Sequence, residues 1–178
     1  KECGVNFGDL PVSPMIWEHI AEMESPLDYV SRLSLTFEQA NLDYARHYSQ
    51  ILENVGDTKS AKILHTIYHD EIAHVGLGIK WLRKWKEQSQ SDWDAWNKQL
   101  HIPLSPMLAK RMAPFNEEGR RKAGLNEEWI TSLKRYHSSR GRSPDFWFFN
   151  PDAEIAAANP GWTCPQKIDD LAADLEPA

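Results

Sequence analysis

Glu71 and His74 stand three apart within Asp70-Glu71-Ile72-Ala73-His74. On a helix that spacing puts a carboxylate and an imidazole on one face, about 4.5 Å apart along the axis and roughly 60° apart around it. Upstream, Glu38 lies between Leu35 and Leu42 in an apolar stripe. A carboxylate in a core is costly unless it is compensated, and a metal ion is the strongest compensator. Carboxylate and imidazole donors suit iron or manganese. The expected chemistry is therefore metal binding by Glu38, Glu71 and His74. A redox-active ion there would extend this to an oxidoreductase that activates dioxygen.

The elements that position these residues read as helix after helix. Ser13-Pro14 and Ser25-Pro26 each place a capping residue before a proline at the first helical position, opening helices over 14–24 and 26–55. Gly56 ends the second, and Asp57 caps a long helix over 58–88. So short a junction dictates an antiparallel hairpin. Shorter helices are expected over 92–100, 116–124 and 126–137, with a single turn around 107–112 between Pro103, Pro106 and Pro114. The chain is expected to divide into a helical domain over 1–137 and an extended or partly disordered arm over 138–178. The aromatic patch Phe146-Trp147-Phe148-Phe149 would dock that arm on the body. No stretch has the alternation of a strand.

The hairpin aligns the candidate ligands in depth. Glu38 precedes Gly56 by 18 residues and His74 follows it by 18, so both sit roughly 27 Å from the turn, with Glu71 about one turn nearer. Leu64, Ile67, Tyr68, Val75 and Leu82 share the core face on which Glu71 is central. The competing reading is that Glu38 pairs with Arg32 or Arg46 on its own helix. Asp43 and Tyr44 are expected either to orient a ligand or simply to pack. Asp70 is expected to face solvent or orient a neighbouring ligand. His65 and His69 point away from the core, and His19, His47, His101 and His137 read as ordinary polar residues.

Composition sets the outer bounds. With 178 residues, 41% of them hydrophobic, the chain can build one globular core. No apolar run approaches the roughly 20 residues of a membrane span, and the opening Lys1-Glu2-Cys3-Gly4 does not have the basic segment and apolar stretch of a signal peptide. Cys3 and Cys164 could pair, but reduced thiols in a cytoplasmic protein are the expectation. No phosphate-cradling glycine loop and no nucleophile elbow is present. The net charge of −6 conceals a basic segment over 80–142, which holds 14 of the 20 Lys and Arg but 7 of the 26 Asp and Glu. Trp81, Trp85, Trp93, Trp96 and Trp129 are interleaved there. This reads as a solvated basic face over packed tryptophans, with an RNA-contacting surface as its alternative.

Arg32-Leu33, Phe37-Glu38-Gln39-Ala40-Asn41-Leu42-Asp43, Gly56-Asp57, the run from Ile67 through Asp70-Glu71-Ile72-Ala73-His74-Val75 to Gly78, and Trp81 together resemble the ferritin-like family catalogued as domain of unknown function 455. Pro114-Phe115-Asn116, Arg120 and Ala123-Gly124 resemble its downstream segment, so the likeness covers roughly residues 5–125. The resemblance implies an all-α, ferritin-like bundle, here a partial one. It makes Glu38, Glu71 and His74 the metal ligands of the second of two helix pairs, whose carboxylates would bridge or terminally bind iron or manganese. It supplies no reaction. An earlier helix pair, expected to bring another Glu and another Glu-x-x-His, has no counterpart in this sequence, and the opening run from Cys3 to Pro11 resembles the loop that would follow it. The chain is therefore expected to be the C-terminal portion of a longer protein carrying half a site. A homodimer about a two-fold axis could complete the bundle.

Three functions follow as expectations. The first is a di-iron or di-manganese carboxylate oxidoreductase. The second is a non-catalytic helical module whose basic, tryptophan-rich surface contacts a protein partner or RNA. The third is iron handling without catalysis.

Overall fold

The structure is a computed structural model that describes residues 4–136, apart from Val5, Phe7, Ser13, Ile102, Met112 and Ala113; of Met15 and Ile20 only the backbone is described. Cys3, His137, Cys164 and the expected arm with its aromatic patch lie outside the described residues.

The described chain is all-α, and no strand occurs in it. The elements are α1 (Met15–Ala21), α2 (Pro26–Tyr29), a π-helical segment (Val30–Glu38), α3 (Gln39–Asn54), α4 (Thr58–Trp85), α5 (Asp92–Lys98), a 3-10 turn (Pro106–Ala109), α6 (Glu117–Lys122) and α7 (Glu127–Arg135). The hairpin of α3 and α4 is the centre of the helical bundle. Local chemistry sets its ends. The Ser25 hydroxyl accepts from the Asp28 amide at the start of α2. Gly56 takes φ +86° at the turn, a left-handed conformation glycine adopts without a Cβ penalty. The Asp57 carboxylate then caps α4 by accepting from the Ser60 amide at 3.0 Å.

The expected uninterrupted α-helix over 26–55 is interrupted: after the first turn, Val30–Glu38 winds as a π-helix. There Ser34, Leu35, Thr36 and Phe37 are all buried in succession, because neighbours surround the segment on most sides. Leu35 belongs to the main core with Leu42, Val75, Ile79 and Leu82, while Phe37 packs with Leu104 and Leu108. Gly78 of α4 gives the wide segment room. A Cβ built there would lie 2.7 Å from Ser34 Cβ and 3.2 Å from Leu35 Cγ. Alanine in place of glycine inside a helix normally gains about 1 kcal/mol. Here overpacking against a rigid Cβ costs about 1–3 kcal/mol and outweighs that gain. Gly78→Ala is expected to lower stability in urea denaturation, and a stabilised variant would show that the helices do not meet this closely.

The basic segment divides once folded. Trp96 and Trp129 are fully buried and stack at 4.6 Å, with Trp93 edge-on to Trp129 at 5.9 Å. These rings form the core that joins α5 to α7. Trp81 and Trp85 stack on each other at 4.8 Å near the end of α4, with the Lys84 ammonium 4.6 Å from the Trp81 ring. Arg83 is bound to Asp92 at 2.7 Å, and the Lys86 ammonium lies 3.8 Å from the same carboxylate.

Asp43 packs the downstream segment onto the hairpin. Its carboxylate accepts from Arg120 Nη1 at 2.6 Å and Nη2 at 2.9 Å, and from the backbone amides of Asn116 at 2.7 Å and Arg111 at 2.9 Å. Both charged side chains are fully buried. Arg120 also donates to the Asn116 and Ala109 carbonyls, and its guanidinium lies 3.9 Å over the Phe115 ring. Of the two roles left open for Asp43, the fold assigns the structural one. Among the described residues no helix is long and apolar enough to cross a membrane.

Candidate metal centre

The end of the π-helical segment and the middle of α4 bring Glu38, Glu71 and His74 together. One ligand atom from each lies within 4.8 Å of the others, and among the described residues this is the one such group of three. His74 Nδ1 is 3.0 Å from Glu71 Oε2 and 3.7 Å from Glu38 Oε1. Glu71 is nearly enclosed, its side chain 10% exposed, while His74 is 52% exposed and forms the outer rim. Glu38 is intermediate, and its Oε2 is buried with no hydrogen-bond partner.

The arginine explanation for Glu38 does not hold. Arg46 donates to Asn116 Oδ1 at 2.8 Å and lies 3.6 Å from Glu118. Arg32 lies along a different cavity of about 620 Å³, with His19, Asp28 and His101. The partners Glu38 has are the imidazole, the neighbouring carboxylate and the Ser34 hydroxyl. Burial pushes its carboxyl above the usual range, and the Glu71 charge adds to that. The Ser34 hydroxyl and the His74 charge partly offset it. The His74 imidazole is shifted upward, chiefly by its hydrogen bond to Glu71 and further by the charges of Glu38, Glu71 and Asp70, against the opposing effect of burial. Metal ligands bind in their deprotonated forms, so a cation entering between these groups would displace any proton they carry.

One participant, Asn41, was not among the expected site residues. Asn41 Nδ2 donates to Glu71 Oε1 at 2.9 Å, so one Glu71 oxygen is fixed by the amide and the other by the imidazole. Asn41 follows Glu38 by three residues and shares its helix face; that spacing was the available clue. Tyr44 stacks with Tyr48 at 6.4 Å. Asp70, His65 and His69 are exposed, as expected. Ile67, placed on the core face by periodicity, is instead 36% exposed. It lies with Ile63 and Leu77, both more than half exposed, and with Trp85 on the uncovered side of α4 that also carries His74.

The family model described as "Protein of unknown function (DUF455)" matches residues 1–131. The chain belongs to this family. The match spans both helices that carry the candidate ligands, the Asp43–Arg120 pair and most of α7. No curated protein and no solved structure matches the chain.

Proposed function

We propose that this chain is a ferritin-like metal-binding protein that takes iron or manganese between Glu38, Glu71 and His74. The observation that carries the reading is the convergence of three ligand atoms from two helices, with a buried Glu38 oxygen left without a hydrogen bond. Leaving a buried polar atom unsatisfied costs about 1–3 kcal/mol, which a cation at this point would relieve. The donor set, two carboxylates and an imidazole, suits iron and manganese.

Such an ion, when bound, supplies Lewis acidity and one-electron redox chemistry, the basis for reading the protein as a metal-dependent oxidoreductase. The chain's own residues do the rest. Glu38 and Glu71 would supply negative charge, and His74 an imidazole nitrogen. Asn41 fixes the Glu71 carboxylate. Metal analysis of protein purified after metal-replete growth tests the reading: stoichiometric iron or manganese supports it, and traces alone contradict it.

The uncovered side of α4 suits a second copy. Ile63, Ile67, His74, Leu77, Trp81 and Trp85 follow one another at spacings of three, four or seven residues, as the contact stripe of a helix pair does. Two copies pairing about a two-fold axis near His74 would set the isoleucines of one against the tryptophans of the other and place two Glu38–Glu71–His74 clusters side by side. Sedimentation at high protein concentration is expected to show a dimer that Leu77→Asp dissociates. A wild-type monomer at every concentration would contradict this pairing.

A further inference from the structure

We propose that Thr36 and Trp96, neither of them in the cluster, are positioning residues that hold the π-helical winding and so aim Glu38 at Glu71 and His74; this rests on the metal-binding reading above. The Thr36 hydroxyl donates to the Ser31 carbonyl at 2.7 Å. In an α-helix a threonine hydroxyl turns back onto the carbonyl three or four residues earlier. Thr36 reaches five residues back, a bond that fits the wider i to i+5 winding. The Trp96 indole N–H donates to the same Ser31 carbonyl at 3.0 Å and lies 3.2 Å from the Thr36 hydroxyl oxygen. Ser31, Thr36 and Trp96 are all fully buried, so water cannot replace these bonds.

The location of this lock gives it a consequence for the cluster. Glu38 is the last residue of the π-helical segment. Downstream, α3 is fixed by Asp43 and its four donors. Upstream, Leu27 of α2 packs against the main core, and within the segment Leu33 and Phe37 pack against Leu104 and Leu108. One residue of register is worth about 100° of rotation and 1.5 Å of rise. Between two anchored ends, a change from π to α winding must be absorbed by the residues in the middle and at the joint, where Glu38 stands. Gly78 accommodates the wide form from the α4 side.

The test uses the full chain with Thr36→Val, which keeps the shape and deletes the hydroxyl, and Thr36→Ser, which keeps the hydroxyl. Couplings across backbone hydrogen bonds, measured by NMR, read the winding directly, and manganese(II) titration reads the cluster. Thr36→Val is expected to lose the i to i+5 couplings and to bind manganese about tenfold or more weakly, the range for residues that orient a ligand. Thr36→Ser is expected to keep both. Should Thr36→Val fail to fold, Trp96→Phe removes the second donor to Ser31 and carries the same expectation. Unchanged couplings in the folded variant, or altered couplings with undiminished binding, would overturn the proposal. Wild-type protein that takes up no metal would instead overturn the metal reading. Positioning would then be decided by nuclear Overhauser contacts between Glu38 and His74, which Thr36→Val must lose and Thr36→Ser must keep.

Discussion

Asp43→Ala is expected to lower stability by about 3–5 kcal/mol, the cost of leaving one member of a buried ion pair unpartnered. The Arg120 guanidinium would remain at zero exposure without its carboxylate. The backbone amides of Arg111 and Asn116 would lose their acceptor at the same time. In urea the midpoint should fall well below that of wild type, and heating should show a loss of about 10 °C or more for a chain of this size. The effect spreads because the pair holds several elements at once. Arg120 ties α6 to the Ala109 carbonyl, and Asn116 bonds the Leu42 carbonyl and the Tyr68 hydroxyl. Replacing both charges together, as Asp43→Leu with Arg120→Met, is expected to cost less than Asp43→Ala, because no buried charge is stranded. Equal losses in the single and double variants would place the stabilisation in the amide contacts instead.

The hairpin was legible from local chemistry. Ser25, Gly56 and Asp57 announce their caps and turn, and periodicity places Glu71 on the core face. Counting from the turn brings Glu38 and His74 to one level, and the two side chains do meet there. The winding of Val30–Glu38 was not legible. Its causes are tertiary: an indole 65 residues away in sequence and a glycine on the facing helix. Nothing within the segment's own periodicity reports them. The same limit applies to Asp43, whose partner Arg120 is 77 residues distant; a lone aspartate in a helix reads equally well as ligand support or as packing. Ile67 fell on the core stripe because periodicity identifies an apolar face and not what covers it.

The second large effect is on metal uptake. Glu71 is the most enclosed of the three candidate ligand side chains, and both its oxygens are held, one by Asn41 and the other by His74. Deleting it removes a ligand and releases the imidazole from its orienting bond. Loss of a supporting residue around a metal typically costs 10–100-fold in affinity, so loss of Glu71 itself should cost about 100-fold or more. The fold should survive, because α4 retains Tyr68, Val75, Ile79 and Leu82 in the core and Glu71→Ala raises helix propensity. A parallel circular dichroism spectrum verifies this.

The most direct test is anaerobic titration of wild-type protein and Glu71→Ala with iron(II) and manganese(II), followed by calorimetry. The account predicts saturable binding of at least one of these ions to wild type and its loss in a folded Glu71→Ala variant. Wild-type protein that binds neither ion, or a Glu71→Ala variant that binds as wild type does, would contradict it.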